Sequence, residues 1–206
     1  MKLTKAIMCA AALFGASVSA TAQDGPWQIR VRAIDIVPDE SSTVSIGGEA
    51  RVDTAIMPEV DITYFWSENF ATELILATTK HNTSARGTAL GDLSLGDVWV
   101  LPPTLTFQYH ANPGGKVRPY LGAGVNYTIF YNDDPGDVGS IKYEDGFGFA
   151  LQAGVDIDIN NDSGWFFNAD VKRIWLNTDV EINGGAVTAD VDLNPWVFGI
   201  GFGKRF

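Results

Sequence analysis

The chain has 206 residues, with 25 acidic and 14 basic side chains and a single cysteine. So large an acidic excess disfavours nucleic-acid binding, and the length asks for no more than one domain. Beyond the amino terminus no apolar run approaches the roughly 18 residues of a membrane helix.

Residues 1–22 follow the plan of a secretory signal. Lys2 and Lys5 precede an apolar run, and small residues ending in Ala20, Thr21 and Ala22 predict cleavage before Gln23. The lone cysteine, Cys9, falls inside this segment. The remaining domain, residues 23–206, therefore has no disulfide, thiol chemistry or thiolate metal site.

From Trp27 the residues alternate. Trp27, Ile29, Val31 and Ala33 share one face of a first strand, and Gln28, Arg30 and Arg32 the other. Residues 38–53, rich in Ser, Gly, Asp and Glu, read as a long loop. A second strand places Ile56, Val60, Ile62, Tyr64 and Trp66 opposite Glu59, Asp61, Thr63 and Phe65. After a short turn at 67–69, a third sets Phe70, Thr72, Leu74 and Leu76 against Ala71, Glu73, Ile75 and Ala77. Residues 80–96 read as a second long loop.

The fourth strand, 98–110, contains Pro102 and Pro103, neither of which can donate to a ladder, so pairing should break there. Residues 112–115 (NPGG) form a tight turn by their types. The fifth strand has Leu121, Ala123, Val125, Tyr127 and Ile129 on one face and Tyr120, Gly122, Gly124 and Asn126 on the other. A third long loop, 132–145, carries Asp133, Asp134, Asp137, Glu144 and Asp145.

The sixth strand alternates most cleanly, from Phe147 to Ile159, with Asp156 and Asp158 on its polar face; a turn follows at 160–164. The seventh pairs Phe167, Ala169 and Val171 against Asn168, Asp170 and Lys172, after which Arg173 falls on the apolar face. That arginine either reaches an interface or marks a bulge. A fourth loop surrounds Asn183, Gly184 and Gly185. The eighth strand, within 194–206 (NPWVFGIGFGKRF), sets Trp196, Phe198, Ile200, Phe202 and Phe206 against Gly199, Gly201 and Gly203.

Eight alternating segments joined by alternately long and short connections predict an all-β fold, an eight-stranded antiparallel up-and-down transmembrane β-barrel. The apolar face is expected to stay on one side throughout. Trp27, Trp66 and Trp165 then fall at periplasmic strand ends and Trp99, Trp175 and Trp196 at outer ends, making two aromatic girdles. Phe202 and Phe206 close the last strand as an expected insertion signal. Inward charges of both signs, among them Arg30, Arg32, Glu59, Asp61, Glu73, Asp170 and Lys172, are expected to pair and close the periplasmic half. The glycine face of the last strand is expected to border any passage.

Three segments, LPPTL at 101–105, RPYLGAGVNYTIFY at 118–131 and NPWVFGIGFGKRF at the end, resemble the OmpW family of small outer-membrane barrels, which includes AlkL-type importers. The resemblance implies a bacterial outer-membrane location and a narrow channel admitting small hydrophobic molecules and releasing them sideways through the wall. It places a lateral opening at Pro102 and Pro103 and an apolar lumen gate at Ile75, whose aromatic partner position is taken here by Lys172. Expected partners are outer-membrane lipids and lipopolysaccharide, small hydrophobic ligands and the outer-membrane insertion machinery, with the barrel a monomer. No cofactor, no metal and no catalysis are expected. Two other functions remain open: a non-transporting structural or adhesive barrel acting through its acidic loops, and a lipid enzyme built on His81 and Ser84.

Overall fold

The computed structural model describes residues 25–159 and 163–206. The expected signal segment and its cleavage site before Gln23 lie outside these residues. Fourteen strands are present among them: β1 (Trp27–Val37), β2 (Ser41–Val44), β3 (Glu49–Val52), β4 (Ala55–Phe65), β5 (Phe70–Ala77), β6 (Thr79–Thr88), β7 (Gly91–Leu101), β8 (Thr104–His110), β9 (Val117–Asp134), β10 (Ile141–Tyr143), β11 (Gly146–Asp158), β12 (Trp165–Ile182), β13 (Val187–Asp192) and β14 (Trp196–Arg205).

Eight of them close a ring. Antiparallel pairing runs β1–β4–β5–β8–β9–β11–β12–β14 and returns from β14 to β1, with Ala33 opposite Ile200. Closure leaves no open edge, which lipid would not tolerate. At one end the turns are short, and the last residue ties to the first strand through Phe206 N–H donating to the Trp27 carbonyl at 2.8 Å. At the other end the connections are long but ordered. The segments read as loops instead form a crown of strands: β6 with β7, β3 with β6, and β2 and β10 with the tall β12–β13 hairpin.

The expectation that the apolar face never changes sides fails in this crown. In β12, Phe167, Ala169 and Val171 face outward, but from Ile174 onward the buried side chains are Ile174, Leu176, Val180 and Ile182, while Asp179 and Glu181 point to water. Strict alternation continues through Arg173, so no bulge shifts the phase. What changes is the surroundings: below this level the outside is lipid, and above it the outside is water and the apolar side chains must turn inward. Arg173 sits at the boundary, with its guanidinium over the Trp196 ring at 5.0 Å and donating to Asp39 at 2.8 Å.

Below the boundary an apolar belt faces outward, with Leu121, Phe147, Phe149, Ile200 and Phe202 all at least half exposed. Aromatic clusters flank it. Trp27, Tyr64 and Trp66 meet edge to face at the short-turn end, and Trp99 with Tyr131 and Trp196 with Phe198 lie at the crown end. Trp165, at the short-turn end, carries the Lys204 ammonium over its ring at 5.6 Å, and Trp175 is outward-facing and partly exposed at the crown end.

Candidate functional site

The barrel interior divides into two layers of opposite chemistry. The lower layer is a polar plug. Arg30 donates to Asp61 at 2.7 Å and contacts Glu73, with Asp156 at 3.7 Å. Arg32 reaches Asp170 at 2.5 Å, Glu59 at 2.6 Å and Asp61 at 2.9 Å. Gln108 donates to Glu73 at 2.6 Å and Gln152 to Asp170 at 2.7 Å, while Asn168 joins Tyr120 to Asp156. All of these side chains are essentially inaccessible, so their charges are met by one another and not by water.

Beneath this lattice the Phe65 ring meets His110 at a tilt and His110 stacks on Tyr120, with the Arg205 guanidinium 4.0 Å from the Phe65 ring and Arg118 bridging to Asp158 at 2.5 Å. The periplasmic half of the lumen is thus closed, as the inward charges predicted.

The glycine face of β14 does not border a passage. A methyl group at Gly203 would fall 2.3 Å from the Phe166 ring and 2.6 Å from Cγ of Arg30, and one at Gly199 only 2.4 Å from Oδ1 of Asp170. These glycines make room for the plug: the arginine stems and Phe166 lie across them.

Above the plug the lumen opens into an apolar chamber of about 130 Å³. Its walls include Ile34 and Ile36 from β1, Ile75 and Ala77 from β5, Val98 and Val100 from β7, Ile174 and Leu176 from β12, and Val197 from β14. Val44, Ala85, Leu95 and Ile182 also line a smaller cavity of about 40 Å³ higher in the crown, so the apolar lining continues outward. The floor carries Glu59, Lys172, Thr104 and Asn126. Dry apolar cavities near 150 Å³ hold a molecule the size of benzene, so a single small hydrophobe fits without rearrangement.

Both expected gate positions line this chamber. Ile75 is buried in its wall. Lys172 is engaged below, donating to Glu59 at 3.1 Å and Asp170 at 3.2 Å, so the two meet as an apolar wall and a charged floor. Pro102 lines the chamber, and with Pro103 it separates β7 from β8. On one side the wall is mended, because Tyr127 N–H donates to the Pro103 carbonyl at 3.0 Å and Asn126 to the Pro102 carbonyl at 3.2 Å. On the other side the β5–β8 ladder ends at Ile75–Thr104 and the β6–β7 ladder begins at Thr79–Val100. Residues 76–78 and 101–103 face each other there without ladder pairing, and among the described residues the Thr78 hydroxyl, 2.5 Å from that of Tyr131 on β9, ties across the seam from outside.

Sequence reasoning missed the upper lining, which includes Val98, Ile174, Leu176, Val180 and Val191. The signal was the reversal of faces after Arg173. His81 and Ser84 both line the chamber, but His81 Nδ1 is bonded to the Asp53 carbonyl at 3.0 Å and the pair makes no mutual hydrogen bond among the described residues. The acidic third loop is likewise occupied locally, with Asp137 accepting from Ser94 N–H and Asp145 from Phe130 N–H. No group of three or more His, Cys, Asp or Glu that could hold a metal ion is found among the described residues.

Burial lowers the His81 pKa below its ordinary 6.5, because the charged imidazolium is poorly solvated in the crown. The unfolded crown therefore takes up the proton first as pH falls, and crown stability should decline below about pH 6.5. Protection factors for the β6 amides should drop between neutral and mildly acidic pH and become flatter in His81→Gln; equal slopes in both proteins would assign the effect to another group.

A model of the OmpW family matches residues 23–206. The outer-membrane protein y4mB of Sinorhizobium fredii is 38% identical over 187 residues, covering 88% of this chain and 80% of that protein. The dibenzothiophene metabolism operon protein PahQ of Pseudomonas aeruginosa is 30% identical over 196 residues, covering 90% of each. The crystal structure of the outer membrane protein OprG from Pseudomonas aeruginosa superposes with a TM-score of 0.82 at 31% identity, covering 89% of this chain and 97% of that one.

Proposed function

Since the chain belongs to the OmpW family of bacterial outer-membrane barrels, we propose that it is a passive channel for small hydrophobic molecules, which enter the apolar chamber from outside and leave sideways into the membrane. The observation that carries this reading is the stacking of an apolar chamber on a sealed ionic plug. A hydrophobe gains free energy by leaving water for the chamber. It finds no route downward through Arg30, Arg32 and their carboxylates. The unpaired stretch between 76–78 and 101–103 is a break in the backbone ladder of the chamber wall beside Pro102 and supplies the exit. The relative named for dibenzothiophene metabolism supports ligands of this class, and so does the size of the chamber.

The reading is tested by uptake of a labelled alkane or terpene in cells with and without the protein. Uptake should fall in its absence; unchanged uptake across several such compounds would overturn the proposal.

Sideways exit has its own test. Removing the hydroxyl that clasps the seam, in Tyr131→Phe, deletes one exposed hydrogen bond worth about 1 kcal/mol. Transfer of a fluorescent hydrophobe from barrel to surrounding bilayer should quicken by up to about fivefold, with the fold unchanged. An unaltered rate would move the exit elsewhere.

A further inference from the structure

Charge around the chamber is as uneven as its polarity. The four outer segments, residues 38–54, 79–101, 130–146 and 177–194, hold fifteen carboxylates and four cations. Three of those cations are already engaged: Arg51 with Glu40 and Glu49, Lys80 with Asp97, and Lys142 with Glu144 and Glu181. The imbalance recurs at the floor, where Arg30, Arg32 and Lys172 face the five carboxylates of the plug.

Of the three plug cations, Lys172 lines the chamber and the two arginines do not. Its ammonium gives one N–H to Glu59 and one to Asp170, and an ammonium has three. Among the described residues it meets no third acceptor, which leaves one donor at the chamber floor, on a group whose charge two carboxylates already offset.

We propose that the chamber selects its ligands by charge, taking uncharged hydrophobes, seating a hydroxyl or carbonyl tip on Lys172 where the ligand has one, and rejecting the carboxylate of equal chain length. This rests on the channel reading above, because selection presupposes that the ligand enters the chamber. A carboxylate first meets the acidic crown. Screening limits that repulsion to roughly 8 Å at physiological salt, so it weakens the approach at the mouth and fades as salt is added. At the floor, in surroundings of low dielectric, the anion adds to an existing excess of negative charge and the repulsion is screened far less. A neutral tip accepts the free N–H without that cost, and a plain hydrocarbon leaves it unused.

The test uses the full barrel in zwitterionic nanodiscs, with empty nanodiscs as reference, at about pH 8 where a fatty acid is ionised. Decane, 1-decanol and decanoate compete against a bound fluorescent hydrophobe, N-phenyl-1-naphthylamine. Decanol should displace it at a concentration at least about tenfold lower than decanoate, and decane should fall between them. Lys172→Met should bring decanol down to decane without improving decanoate. Decanoate competing as well as decanol in the wild-type barrel overturns the charge selection, whatever the variant does. Displacement by none of the three would instead overturn the channel reading itself.

Discussion

Exchanging Arg32 for methionine is expected to cost the barrel about 3–5 kcal/mol of unfolding free energy, the usual consequence of removing one partner from a buried ionic group. Arg32 holds three carboxylates within 2.9 Å, those of Glu59, Asp61 and Asp170, and a fourth, Glu73, at 3.5 Å. Methionine preserves much of the stem packed along the β14 glycines but leaves those acids facing each other in a space closed to water. A second exchange, Asp170→Asn, should return part of the loss, because it removes one of the orphaned charges while Glu59 still holds Lys172. Urea unfolding in lipid vesicles measures both. A loss below about 1 kcal/mol for the single variant would show that solvent reaches the lattice and that the plug is not sealed.

The plug and the chamber depend on each other through the change of surroundings at Arg173. In the membrane the outer face must be apolar, which leaves the interior to polar side chains that can satisfy one another. In the crown the outer face meets water, so the same strands bury Ile174, Leu176, Val180 and Ile182 inside. A hydrophobic pocket above an ionic seal results from one alternation crossing one boundary.

That boundary also explains what could be read from the sequence. The barrel strands were legible because Phe147 to Ile159 and Trp196 to Phe206 keep large apolar groups on a single face. The charged lumen was legible because Arg30, Arg32, Glu59, Asp61 and Glu73 fall opposite lipid-facing positions. The crown was not. Its strands place Thr79, His81, Thr83 and Ala85 inward with Lys80 and Asn82 outward, a weak contrast that resembles a polar loop. Gly199, Gly201 and Gly203 misled for a different reason: glycine shows where a side chain is missing but not which neighbour fills the gap, and here the fillers, Arg30, Arg32 and Phe166, come from strands distant in sequence.

Filling the chamber should abolish the proposed uptake while sparing the barrel. Val98 is buried in the chamber wall on β7, above the floor and away from the plug. Val98→Trp would place an indole in a space of about 130 Å³, leaving too little room for a ligand. Uptake of a labelled alkane should fall to the level of cells lacking the protein, a loss of tenfold or more in chamber affinity corresponding to at least about 1.4 kcal/mol. Overpacking should cost about 1–3 kcal/mol of stability, so heat-modifiable mobility on a gel confirms that the variant still folds. Full uptake by a folded Val98→Trp barrel would mean that the hydrophobe travels by another path.

The most direct test of an apolar chamber over a sealed plug is the position of a bound hydrophobe. Intermolecular NMR contacts should be recorded between deuterium-edited barrel methyls in nanodiscs and a small protonated alkane. The structure predicts contacts to Ile75, Val98, Ile174 and Val197 and none to Thr106, which sits within the plug. Contacts at Thr106, or contacts confined to lipid-facing methyls such as Leu151 and Ile200, would contradict it.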